Sequence, residues 1–106
     1  MADFAAARQH MVDSQIRTNK VIGTALVAAL SQTPRETFVP EAMRAVAYVD
    51  EDLAYGNGRH LMEPMVFARL VQMLEIEGGD IVLDIGCGTG YSSAVLSRLA
   101  STVVAV

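Results

Sequence analysis

The chain has 106 residues, 52% hydrophobic and 19% charged, the composition of one globular unit and not of a disordered tail. Eight Lys and Arg stand against twelve Asp and Glu, a net charge of −4, which argues against nucleic acid as a partner because phosphate neutralisation needs a basic surface. The imbalance lies in residues 51–106, with seven acids and three bases against five and five in residues 1–50.

The single Cys87 excludes an internal disulfide. With only His10 and His60 beside it, no set of soft ligands has metal-site spacing. The N-terminus carries Asp3 and no apolar signal-peptide core. The longest aliphatic run, Ala25 to Leu30, falls far short of the roughly 20 residues of a bilayer span. A cytoplasmic protein without membrane contact or structural metal is expected.

Phe4, Ala7, Met11, Val12 and Ile16 recur at helical spacing behind Asp3 as a cap, and Val21, Ile22, Ala25, Leu26, Ala29 and Leu30 form a second stripe. Two helices broken near Thr18 are predicted. Thr33-Pro34-Arg35-Glu36 has capping-box spacing, with Pro34 suited to a first helical position. Residues 46–61, with Tyr48, Tyr55, Gly56 and Gly58, lack a sustained period and read as a loop with short extended pieces. After Pro64, the residues Val66, Phe67, Leu70, Val71 and Leu74 give one apolar helical face, with Gly78-Gly79 as its stop.

Ile81 to Ile85 is a β-branched run, Gly86 to Gly90 a glycine-rich turn, Tyr91 to Ala100 helical in spacing, and Val103 to Val106 apolar again. Strand, loop, helix and strand in this order predict two adjacent parallel strands, which need cover on both faces. The sequence stops one strand into that repeat, so an incomplete domain is expected, with self-association through the unfinished sheet as one consequence.

Three alternate glycines after a strand let the backbone turn sharply and let a ligand approach where no Cβ intervenes. A dinucleotide fingerprint requires G-x-G-x-x-G, but Tyr91 stands where its third glycine belongs, and the Lys-Ser/Thr pair of a Walker loop is missing. Asp84 ends the strand at the mouth of the loop, where it repels a pyrophosphate and attracts a cation. S-adenosylmethionine carries a sulfonium and an ammonium and no phosphate, so acid and spacing favour it over NAD. The bland alternative is a tight turn that binds nothing. Cys87 reads as a small apolar side chain in this loop, since no basic neighbour favours a thiolate.

The run VLDIGCGTGY resembles the first motif of class I S-adenosylmethionine-dependent methyltransferases. Arg35-Glu36-Thr37-Phe38-Val39-Pro40, then Ala47-Tyr48, then Gly56 to Pro64 and the helix ending at Leu74, resemble protein-L-isoaspartate O-methyltransferases in order and spacing. The likeness covers about residues 30–106 and is to the N-terminal part of such proteins. It implies an α/β fold, N-terminal helices followed by the start of a Rossmann-like parallel sheet that breaks off after its second strand. It also implies three stretches: 1–45 as a helical extension, 46–64 as a loop beside substrate and cofactor, and 65–106 as the start of the core.

The resemblance implies methyl transfer from S-adenosylmethionine to the carboxylate of isoaspartyl residues in damaged proteins. Asp84, Gly86, Gly88 and Gly90 would cradle the methionyl end of the cofactor, with Cys87 and Thr89 adding backbone contacts. His60 to Pro64 would lie across the reacting centre. The family carries a Ser or Thr hydroxyl where Met62 stands, and Met62 cannot donate a hydrogen bond. Arg59 or His60 would then supply the polar contact, Arg59 as a fork for a carboxylate. The other readings are a non-catalytic fragment or scaffold and a small-molecule O-methyltransferase of the same superfamily. Glu75, Glu77 and Asp80 read as a solvated helix end, His10 as a surface histidine, Phe38 and Tyr48 as packing aromatics, and Tyr55 as a candidate substrate wall.

Overall fold

A computed structural model describes residues 3–106. Helix α1, Phe4–Met11, starts where the Asp3 side chain accepts a hydrogen bond from the Ala6 amide at 3.0 Å. Winding runs to within two residues of the break expected near Thr18. It widens into a π-turn over Val12–Ile16, tightens to a 3-10 turn over Arg17–Asn19, and ends at Lys20, whose φ is 67°. The side chains of Ser14, Thr18 and Asn19 donate to the carbonyls of His10, Ser14 and Gln15. Such back-bonding competes with the regular backbone ladder and loosens it.

Helix α2, Thr24–Gln32, buries Leu26, Val27, Ala29 and Leu30, while Ile22 lies outside the helix and is exposed. Gln72 from the next long helix fixes the intervening turn. Its Nε2 donates to the Lys20 carbonyl at 2.9 Å, and its Oε1 accepts from the Ile22 and Gly23 amides at 2.8 and 3.1 Å. Gln72→Ala returns these backbone groups to water and is expected to lower stability by about 0.5–1.5 kcal/mol in equilibrium urea unfolding.

The expected capping box does not form. Thr33 closes α2 instead, its Oγ1 donating to the Ala29 carbonyl at 2.7 Å and accepting from Arg98 Nε at 3.0 Å. Only a 3-10 turn, Arg35–Phe38, follows. Glu36 turns to the Tyr48 hydroxyl, which donates to its carboxylate, and to Arg8 at 3.3 Å. The Tyr48 oxygen also accepts from Arg8 Nε at 2.9 Å and from the Arg35 amide at 3.0 Å. Burial first, then the bond to Glu36, pushes the Tyr48 phenol from 10.0 up to about 12.

A raised folded value means that the native state holds this proton more tightly than the unfolded chain does. The contribution is therefore complete below pH 10 and fades as the pH rises towards 12. Tyr48→Phe is expected to remove that alkaline loss and to cost about 1–3 kcal/mol at neutral pH, read from urea unfolding as a function of pH.

A third 3-10 stretch, Glu41–Val46, leads to a hairpin of β1, Leu53–Gly56, and β2, Arg59–Leu61. Leu53 faces Leu61 and Ala54 faces His60, but Gly56 faces Arg59, so Tyr55 sits in a bulge. Asn57 and Gly58, both with positive φ, turn the chain.

Helix α3, Pro64–Leu74, has Pro at its first turn as expected but ends earlier than Gly78-Gly79, with Glu75 as a left-handed cap. Its buried face is Pro64, Ala68 and Val71 with Phe67 beside them. Leu70 and Leu74 of the predicted stripe are exposed. It packs on the π-turn and on α2.

Strands β3, Ile81–Asp84, and β4, Thr102–Ala105, are parallel, with Leu83 opposite Val104, and the short helix α4, Tyr91–Leu96, lies between them in sequence. This is the predicted unit. Val82 and Val103 point to the core shared with Met11, Ile16, Leu30 and Val95, while Ile81, Leu83, Ile85, Val104 and Val106 lie exposed on the other side. Among the described residues no helix is long and apolar enough to cross a membrane.

Candidate functional site

The site is built where β3 gives way to the loop 85–90. The ladder runs on past the strand ends, since the Val106 amide donates to the Asp84 carbonyl at 3.0 Å and the Gly86 and Cys87 amides both donate to the Val106 carbonyl. The amides of Gly86 and Cys87 are thereby spent inside the fold. Those of Gly88 and Thr89 find no acceptor among the described residues. The Gly90 amide closes the loop onto the Cys87 carbonyl at 2.9 Å. Gly88 and Gly90 have φ of 56° and 98°, values that suit glycine.

Asp84 is the chemical centre of this loop. Its Oδ2 accepts from both Ser92 Oγ and Ser93 Oγ at 2.7 Å, which locks the carboxylate, while Oδ1 has no protein partner among the described residues. A fixed, half-buried carboxylate with a free oxygen suits a cationic ligand. Ser92 and Ser93 were absent from the sequence-based site, although a hydroxyl pair in the first turn of the helix that follows the glycine loop is the signal that could have found them.

A cavity of about 280 Å³, at the lower end of the range for small-ligand pockets, opens over the loop. Asp84, Gly86, Cys87, Gly88 and Thr89 form its floor. His60 and Met62 line it from the hairpin side together with Tyr55 and Leu61, and Phe67 lines it from α3. The structure thus brings together most of the residues singled out in the sequence. Gly90 does not line the cavity, since a Cβ there would face the Phe38 ring at 3.8 Å. Arg59 is exposed on β2 and also lies outside the lining.

The bulge in β1 aims the Tyr55 side chain onto the loop, its hydroxyl 2.5 Å from where a Cβ on Gly88 would stand. Tyr91, which also lines the cavity, is buried with its ring edge-on to Phe38, centroids 5.8 Å apart, and tilted against Phe67 at 5.6 Å. Burial raises its phenol above the ordinary value, opposed by the nearby Arg35 guanidinium. Next to the cavity, Glu63 is held above the usual carboxylate range by a hydrogen bond with Asp50 and by the neighbouring charges of Asp52 and Glu51.

The geometry agrees with comparisons to known proteins. The family model described as Protein-L-isoaspartate(D-aspartate) O-methyltransferase (PCMT) matches residues 6–106. Protein-L-isoaspartate O-methyltransferase 1 of Rhodopseudomonas palustris (strain HaA2) is 42% identical over 103 residues, which are 97% of this chain and 42% of that protein. The protein-L-isoaspartate O-methyltransferase of Methylorubrum extorquens (strain PA1) is 38% identical over 104 residues, covering 98% of this chain and 46% of that protein.

Among solved structures, a protein-L-isoaspartate O-methyltransferase aligns with a TM-score of 0.75 and 25% identity over 92% of this chain and 33% of its own. A Plasmodium falciparum structure of the same description, in complex with S-adenosyl-L-homocysteine, aligns with a TM-score of 0.69 and 16% identity. It covers 99% of this chain and 49% of its own, and its likeness bears on the fold alone. The chain spans less than half the length of these relatives. With the family model covering nearly every residue and the glycine loop folded as its motif requires, the chain belongs to the protein-L-isoaspartate(D-aspartate) O-methyltransferase family.

Proposed function

We propose that the natural polypeptide carrying this sequence transfers a methyl group from S-adenosylmethionine to the carboxylate of isoaspartyl residues in peptides and proteins. The observation that carries the reading is the locked Asp84 carboxylate, with one oxygen free, at the floor of a glycine loop in a chain of this family. When bound, the cofactor supplies a methyl group activated on a sulfonium. Asp84 would take its ammonium, and the free amides of Gly88 and Thr89 its polar backbone-facing atoms.

Catalysis on a carboxylate asks little of protein bases. With an ordinary pKa near 4 the acceptor is ionised at neutral pH, so alignment and exclusion of water are the tasks that remain. Tyr55, Met62 and Phe67 supply an apolar wall for that purpose, and His60 is the polar side chain of β2 that reaches the cavity. Arg59 lies outside the lining, so acceptor contact by this residue would come from the rim.

Incubation with methyl-labelled S-adenosylmethionine is expected to give a base-labile methyl ester on an isoaspartyl peptide and none on its aspartyl counterpart. Equal labelling of both peptides, or label on small molecules alone, would overturn the acceptor assignment.

A further inference from the structure

Arg35 is 0% exposed, and no carboxylate pairs with it among the described residues. Burial draws its guanidinium below the ordinary arginine value. Its Nη1 has no acceptor. A charge buried in this way is costly, so net stability is not what the side chain chiefly contributes. What it contributes is direction. The planar fork sends Nε to the Ala47 carbonyl at 2.6 Å and Nη2 to the Met62 carbonyl at 2.9 Å. Its face lies over the Tyr91 ring, 4.8 Å from the centroid.

Those contacts join two halves of the site. Met62 lines the cavity from beyond the hairpin, and Tyr91 is the residue that leaves the glycine loop at Gly90. The Arg35 amide is itself pinned by the Tyr48 hydroxyl, so the fork is referenced to the N-terminal network and not to the hairpin. We propose that Arg35 is a positioning residue for methyl transfer, holding the Met62 backbone at a set distance from the glycine loop through simultaneous contacts with the Met62 carbonyl and the Tyr91 ring. The inference rests on the methyltransferase reading above and adds to it the group that sets the gap between acceptor segment and cofactor loop.

The test compares Arg35→Lys, which keeps the charge but loses the fork, with Arg35→Met, which removes a buried charge and is expected to fold. Both are made in the natural polypeptide that carries this sequence. Amide hydrogen exchange over residues 59–63 is expected to quicken at least about fivefold in both variants, with α1 and α2 unchanged. For isoaspartyl peptide, KM is expected to rise roughly tenfold while the dissociation constant of S-adenosylhomocysteine moves less than about threefold.

Exchange over 59–63 equal to wild type in both variants would overturn the proposal. So would a loss of protection throughout the chain with KM rising and cofactor affinity falling to a similar extent, which is the signature of a merely structural arginine. A wild-type protein that leaves isoaspartyl peptide unmethylated refutes the acceptor reading alone, and the exchange measurement still decides the role of Arg35.

Discussion

Asp84→Ala is expected to weaken binding of S-adenosylhomocysteine by roughly 10- to 100-fold, the loss of one charge-assisted contact of about 1.5–3 kcal/mol. The side chain is held ready for this contact by Ser92 and Ser93, which leave Oδ1 uncommitted. Asp84→Asn keeps an acceptor for the serines but loses the charge, and is expected to lose most of the same affinity. Ser92→Ala and Ser93→Ala each leave one orienting hydroxyl in place and should cost less, a few-fold apiece. Because S-adenosylmethionine carries an additional positive charge on sulfur, its affinity is expected to fall at least as far as that of the demethylated product. Isothermal titration of the four variants with both ligands checks the series. Equal affinity of wild type and Asp84→Ala for either ligand would move the cofactor away from this loop.

The features that predict this site are those encoded over short stretches of chain. A β-branched run, an acid, alternate glycines and a helical segment are contiguous, and the strand–loop–helix–strand unit they describe is the one that forms. Features that depend on distant partners were not legible. The Thr33 to Glu36 spacing suits a capping box, but Glu36 is drawn away by Tyr48 and Arg8, and Thr33 by the Ala29 carbonyl and Arg98.

Helix α3 misleads for another reason. Met65, Val66, Phe67, Leu70, Val71, Met73 and Leu74 surround most of its circumference, so periodicity alone cannot choose the face, and the small Ala68 marks the closest packing. The site shows the same division. Asp84, Gly86 and Gly88 announce themselves by spacing, and His60 and Met62 entered through the resemblance. The aim of Tyr55 depends on a one-residue register slip in the hairpin, which no local signal encodes. Arg35 enters the sequence reading as part of a helix-start pattern and of the run that carries the resemblance, and its reach to Met62 and Tyr91 is a tertiary property.

Substitution at Gly88 is expected to damage both stability and ligand binding, and Tyr55 allows the two effects to be separated. Gly88 has φ of 56°, a conformation that costs a side-chain-bearing residue about 1–2 kcal/mol. A Cβ there would also lie 2.5 Å from the Tyr55 hydroxyl but 3.6 Å from the ring carbon bearing it. Gly88→Ala is therefore expected to lower stability by about 2–3 kcal/mol, the backbone cost together with about 1 kcal/mol for displacing Tyr55. Tyr55→Phe removes the offending oxygen, so the double variant should regain that last portion and no more, as a double-mutant cycle in urea would show. Affinity for S-adenosylhomocysteine should behave differently. If the ligand meets the Gly88 backbone directly, the new methyl group occupies its place whether or not Tyr55 has lost its hydroxyl. Binding is then expected to stay roughly 10- to 100-fold weaker in both the single and the double variant. Recovery of affinity alongside stability in the double variant would mean that Gly88 serves only to make room for Tyr55, and that the ligand approaches the loop elsewhere.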